Sequence, residues 1–183
     1  MPNGRISAGA ALVLVLVALL GGAVLAGCGG SGVKPHAWAS DVCTSLSPWR
    51  AKSAELTTAA QAQISATKTP AQTKESLVAL LAGLEEASES ARRGIERAGV
   101  PDVAGGAGIA DGILTTLQRA RDAYANARNA LSALDTANPT GFYDRVGDVF
   151  STLNDEYAAS GFDPTRVSSA PLQQAFAQVE ECR

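Results

Sequence analysis

The sequence predicts an all-α fold: an up-and-down bundle of about four long helices plus a short C-terminal helix, stapled by a disulfide. Three observations carry this. Apolar residues recur at intervals of three and four along four long segments, the mark of a helix with one buried face. Thr-Pro and Asn-Pro pairs open two of those segments, and Gly or Pro closes others. No segment shows sustained period-two alternation rich in β-branched residues, and the connections between capping signals are short, which favours antiparallel neighbours.

The first predicted helix follows Trp38, Val42, Leu46, Trp49, Leu56, Ala60 and Ile64 along one face. Pro48 lies inside it and removes one backbone hydrogen bond, so a kink or break is expected near Ser47, which would cap a restarted helix. Thr69 and Pro70 supply an N-cap and a first helical residue for the second helix. Its stripe is Leu77, Leu80, Leu81, Leu84, Ala87, Ala91 and Ile95, and Gly99 with Pro101 ends it. The third is expected from about Gly106 to Asp135, with Ile109, Ile113, Leu117, Ala120, Tyr124, Ala127, Leu131 and Leu134 inward. Asn138-Pro139 opens a fourth, bearing Phe142, Val146, Val149, Phe150, Leu153 and Tyr157 and closed by Gly161. A last short helix carries Leu172, Phe176 and Val179 up to Cys182. Each segment has one apolar stripe, and such stripes can be buried only against one another.

Composition bounds the chemistry. The chain has 183 residues, 18% of them charged, with 15 Lys and Arg against 18 Asp and Glu. That length fits one ordinary domain. A net charge of −3 gives no concentrated basic face, so nucleic acid is not an expected partner. One His, three Cys and one Met leave little inventory for metal or triad chemistry, and neither a cofactor nor an enzymatic activity is expected.

The N-terminus carries an address. Arg5 is the sole charged residue before Lys34, and it precedes an apolar and glycine run from Ala8 to Val24. This is the charge and length pattern of a signal peptide, shorter than the roughly 20 apolar residues of a spanning helix. Leu25-Ala26-Gly27-Cys28 follows and resembles a bacterial lipobox. The resemblance implies diacylglyceryl transfer to the Cys28 thiol, cleavage just before it, and a mature chain that begins there. Each buried methylene of an acyl chain contributes about 0.8 kcal/mol, so two or three chains hold a protein on its membrane where one holds it marginally. The expected organisation is a signal peptide over 1–27, a lipidated cysteine and flexible tether over 28–36, and a helical domain over 37–183. Loss of the signal peptide removes one Arg and no acid, so the mature chain stays acidic. Alanine is abundant and Lys is scarce beside Arg, a usage that resembles GC-rich actinobacteria. With the Gly-Ser tether, an early Trp and Cys, and a C-terminal Cys, the chain is similar to small helical lipoproteins of mycobacteria and their relatives, most of which have no assigned activity. This implies a cell-envelope location on the extracytoplasmic face, with membrane attachment through the lipid on Cys28; by subtraction of the other classes, an envelope protein is the expected partner.

If Cys28 is lipidated, Cys43 and Cys182 remain, and an exported protein meets an oxidising compartment in which they can pair. That bridge ties the first helix to the last. Other candidates have plainer alternatives. Trp38 and Trp49 stand three helical turns apart, and with Phe142, Phe150 and Tyr157 they are the residues expected to face a small apolar ligand if the bundle encloses one; otherwise they fill the core. Glu85, Glu86 and Glu89 have carboxylate-site spacing, but the Glu-x-x-His partner of such sites is absent, and pairing with Arg92 and Arg93 on a solvated face is expected. Gly105, Gly106, Gly108 and Gly112 open the third helix without a following Gly-Lys-Ser or Gly-Lys-Thr, which reads as a turn. An unfamiliar enzyme would need Asp144, Asp148 or Asp155 to converge in a cleft. The leading expectation is an envelope lipoprotein acting as a non-enzymatic interaction or structural module, and the alternative is a carrier or sensor for an apolar ligand or lipid.

Overall fold

The computed structural model describes residues 32–65, 68–159 and 169–183, without the side chains at 56, 57 and 59–65 of the first helix. Leu25 to Cys28 of the lipobox, the tether up to Ser31, Gly161, and the inward face expected at Leu56, Ala60 and Ile64 lie outside that description. Among the described residues the regular elements are α1 (Pro35–Ser65), α2 (Pro70–Ala98), α3 (Gly106–Ser132), α4 (Pro139–Ala159), α5 (Ala170–Gln178) and a 3-10 turn (Glu180–Cys182). There is no strand among them, only an isolated parallel bridge between Val33 and Pro101.

The capping chemistry sets the helix boundaries. At Thr69 a full capping box forms: the Gln72 N–H donates to Thr69 Oγ1 at 3.3 Å and the Thr69 N–H donates to Gln72 Oε1 at 3.0 Å. Gly99 ends α2 at φ 74°, in the region open to glycine. Gly105 begins α3 at φ 72°. Asn138 Oδ1 accepts the Gly141 N–H at 3.2 Å and so serves the first turn of α4. The third helix ends at Ser132, three residues before the expected Asp135. The Ala133 N–H closes the final turn by donating to Asn129 and Ala130 carbonyls.

α1 runs unbroken through Pro48, and the expected restart at Ser47 does not occur. Pro48 still withholds an N–H from the Thr44 carbonyl. The flanking turns are held from outside the helix: Cys43 is bonded to Cys182 before the proline, and Trp49 Nε1 donates to Ser88 Oγ at 3.0 Å after it. Tertiary contacts therefore outweigh the local preference to break.

Neighbours in sequence pack as neighbours in space, with α2 between α1 and α3, and α4 against α3. Pairings such as Trp38 with Gly99 and Trp49 with Ser88 make α1 and α2 antiparallel. Glu85 with Arg128 and Glu89 with Arg121 do the same for α2 and α3. α5 returns to α1 and runs in its direction, since Trp38 meets Phe176 and Cys43 meets Cys182.

The core has two main parts. Trp38, Val42 and Trp49 of α1 pack with Ala91, Ile95, Ala98, Ala110, Leu117 and Leu172. Towards the other end, Leu77 and Leu81 pack with Ala120, Tyr124, Ala127 and Leu131, and α4 lays Val146, Val149, Phe150, Leu153 and Tyr157 against them, half-buried. On α3 the fully buried line is richer in alanine than the expected stripe: Ala110 and Ala123 are buried while Ile109 and Ile113 sit at the margin, half-buried. Small residues occupy the tightest seam and larger ones its edge.

At Gly94 the chain leaves no room for a side chain, because a Cβ there would overlap Ser45 Oγ and Cβ of α1. Gly to Ala inside a helix is ordinarily stabilising by roughly 0.5–1 kcal/mol. Here the sign reverses: Gly94→Ala is expected to destabilise by about 1–3 kcal/mol through overpacking. Urea denaturation checks it, with Ser45→Gly in the same chain restoring part of the loss.

Candidate functional site

Cys43 and Cys182 form a disulfide, with Cα atoms 5.1 Å apart and a sequence separation of 139. Geometry for it comes from two small surfaces. Ala39 and Cys43 lie one helical turn apart on α1, and Ala175 and Val179 lie on the returning segment; all four are buried together. Val179 is extended, at φ −82° and ψ 125°, so the expected single last helix is split and the 3-10 turn brings Cys182 over Cys43. Arg50 adds a second tie from α1, donating from Nη2 to the Glu181 carbonyl at 2.8 Å.

The five aromatic residues expected to face a ligand do not gather. Trp38 and Trp49 are buried in the first part of the core, with their indole N–H groups spent on the Gly99 carbonyl at 2.8 Å and Ser88 Oγ at 3.0 Å. Phe142 is buried at the start of α4, with its ring edge-on to Tyr143 at 5.1 Å between centroids. Phe150 and Tyr157 pack at the second part of the core, Tyr157 against Tyr124 at 6.3 Å. Burial raises the pKa of both tyrosine hydroxyls, and the neighbouring Tyr157 adds to the effect at Tyr124. The reason for the separation is topological. α4 packs on α3, whereas the tryptophans of α1 face the C-terminal half of α2, the start of α3 and Leu172.

Charge organises one side of the α2–α3 pair. Glu89 takes a two-point contact from Arg92, Nε to Oε2 at 2.9 Å and Nη2 to Oε1 at 3.0 Å. Arg93 Nε donates to Oε1 at 2.8 Å, and Arg121 of α3 donates from Nη1 to Oε2 at 2.9 Å. Arg128 Nε reaches Glu85 Oε2 at 2.9 Å in the same interhelical row, while Glu86 is exposed. The expected pairing with Arg92 and Arg93 thus forms at Glu89 alone, and the two interhelical arginines extend it. The Arg92 contact, followed by those from Arg93 and Arg121, holds the Glu89 carboxyl well below the usual range against the opposing effect of desolvation.

A carboxylate whose folded pKa is depressed stabilises the fold fully above its unfolded value of about 4.3, and that contribution is lost as pH falls through the interval below it. Glu89→Gln is therefore expected to cost about 1 kcal/mol at neutral pH, a figure kept small because solvent screens the partly exposed pairs. The gap between the variant and the parent should narrow below about pH 4. Denaturant titrations across that interval check the sign, since a gap that widens in acid contradicts it.

Asp144, Asp148 and Asp155 are all exposed along α4. Among the described residues no three His, Cys, Asp or Glu side chains are placed to hold a metal ion, and no helix is long and apolar enough to cross a membrane.

One arrangement has no counterpart in the expected sites. Gly32 and Val33, within the stretch that composition reads as tether, dock on the α2–α3 connection, and Pro35 already belongs to α1. The Val33 N–H donates to the Val100 carbonyl and the Asp102 N–H donates to the Val33 carbonyl, both at 2.8 Å. Pro101 beneath them is fully buried. Residues 33 and 101 are distant in sequence, and no local signal joins them. Ser88 and Gly94 are likewise missed by a search for apolar stripes, as polar or featureless positions on a buried face. No protein family, curated protein or solved structure matches the chain.

Proposed function

We propose that this protein is a lipid-anchored lipoprotein of the cell envelope whose helical domain works through protein contacts and not through catalysis. The observation that carries the reading is the Cys43–Cys182 disulfide. Such bonds persist in oxidising, extracytoplasmic compartments. This bond also uses two of the three cysteines, leaving Cys28, at the end of the lipobox-like Leu25-Ala26-Gly27-Cys28, as the remaining thiol. The interaction reading is preferred to the carrier alternative because Trp38 and Trp49 pack in one group and Phe150 and Tyr157 in another, and both indole N–H groups have partners inside the protein. An interaction module agrees with the exposed acids of α4 and with the burial of both tryptophans and Phe142.

Fractionation of expressing cells tests the anchor. The parent chain is expected in the membrane pellet and to be released by detergent but not by high salt. The Cys28→Ser chain is expected to lose acylation and signal-peptide cleavage while keeping the Cys43–Cys182 bond. An acyl-free parent chain, or a Cys28→Ser chain that is still acylated and cleaved, contradicts the reading. Crosslinking on intact cells then tests the mode of action: a defined protein adduct at fixed stoichiometry supports an interaction module, and turnover of a small molecule overturns it.

A further inference from the structure

From Gly32, the first described residue, the chain lies against the fold. Gly32 fits only as glycine, because a Cβ there would lie 2.8 Å from the Asp102 backbone. A Cβ at Gly106 would likewise run into the Pro101 carbonyl. Around Pro101 the carbonyls are each taken: Gly99 by the Trp38 indole, Val100 by the Val33 N–H, and Pro101 by the Val103 N–H at 2.9 Å. Val33 and the α2–α3 connection therefore form one end of the bundle, closed by a strap that continues directly into α1.

We propose that this strap fixes how the domain stands on a lipid bilayer: the bundle end at Val33 and the Val100–Gly105 connection faces the membrane, and the α3–α4 connection points away. The proposal rests on the reading of Cys28 as the lipid anchor. Five residue steps separate Cys28 from Val33, so the anchored atom lies no more than about 18 Å from the strap even if that chain is fully extended. α3 leads from this end to the opposite one over 27 residues, or roughly 40 Å at 1.5 Å per residue. The N–H and the carbonyl of Val33 are both hydrogen-bonded to that connection, which leaves five residue steps as the longest possible link between anchor and strap. At the facing end Val100 is 44% exposed, one of two large hydrophobic residues so exposed among those described, which gives that end an apolar contact for the bilayer. The other, Tyr143, lies near the opposite end with its hydroxyl 3.5 Å from Thr73 Oγ1. The bilayer is thus the partner of one end, and the surface left for envelope proteins is the side and the far end.

The test uses the full acylated protein, purified in detergent and returned to phosphatidylcholine vesicles that contain lipids spin-labelled at the headgroup. An environment-sensitive fluorophore is attached after Val100→Cys or, in a separate chain, after Ala137→Cys in the α3–α4 connection, where the side chain is exposed. Fluorescence loss is expected to be several-fold greater at position 100 than at 137. Gly32→Val, which cannot hold the strap against Asp102, is expected to bring the two positions towards equality while acylation and helicity persist. Equal loss at both positions in an acylated chain overturns the orientation and leaves the anchor standing. A difference undiminished by Gly32→Val overturns the part assigned to the strap. Mass analysis of the same sample reads Cys28 directly, and a chain without acyl groups overturns both the anchor and the orientation.

Discussion

Removing the Cys43–Cys182 bond, by Cys43→Ala with Cys182→Ala, is expected to cost about 2–5 kcal/mol of stability. In a domain of this size that corresponds to a fall in Tm of roughly 5–15 °C. The physical cause lies largely in the unfolded chain, which gains the freedom of a loop spanning 139 residues. Consequences in the folded protein should be local. Among the described residues α5 and the 3-10 turn lie closest to α1 of the long helices, so the bond and the Arg50 contact to Glu181 are principal ties of the C-terminal segment. Hydrogen exchange should therefore show early opening of residues 170–183 in the bond-free chain, while the α2–α3 pair keeps its protection. Loss of protection spread evenly over all helices would contradict this division.

Trp38→Ala is expected to destabilise by about 3–5 kcal/mol, the range for removing a large buried aromatic side chain. Trp38 is fully buried among α1, α2 and α5, with Phe176 edge-on at 6.0 Å. Its indole N–H also fixes the Gly99 carbonyl at the turn on which the strap depends. Trp38→Phe separates the two effects: it keeps much of the volume and removes the donor, at an expected cost of about 1–2 kcal/mol for the carbonyl left without its partner. Denaturant titration followed by circular dichroism checks both, and exchange at the Val33 N–H should rise in either variant. If Trp38→Phe matched Trp38→Ala, volume would have to be discarded as the main source of the loss.

How much of this was legible in the sequence depends on the range of the interaction. Caps act over three or four residues, so Thr69-Pro70 and Asn138-Pro139 mark the starts of α2 and α4. Stripes act over a helix, so Leu77, Leu81, Ala91 and Ile95 are found on the buried face of α2 as expected. The pairing of Cys43 with Cys182 was reachable because there were few cysteines to choose from. Of the kink or break expected at Pro48, the break does not form, because the local cost of proline is visible in the sequence whereas the anchors on either side, to Cys182 and Ser88, are not. Trp38, Trp49, Phe150 and Tyr157 share only their residue type in the sequence, whereas the packing order of helices, which no local pattern shows, assigns the tryptophans and the other two to different neighbours. Val33 with Pro101 and Glu89 with Arg121 join segments 68 and 32 residues apart, and nothing in either local pattern points to the other.

Intact-mass measurement of the protein extracted from its own membrane in mild detergent, before and after reduction, tests the central claim most directly. The account predicts a chain that begins at Cys28, carries the mass of two or three acyl chains, and gains two hydrogens on reduction as Cys43 and Cys182 part. A chain that retains residues 1–27, or that begins at Cys28 with a free thiol, would contradict it.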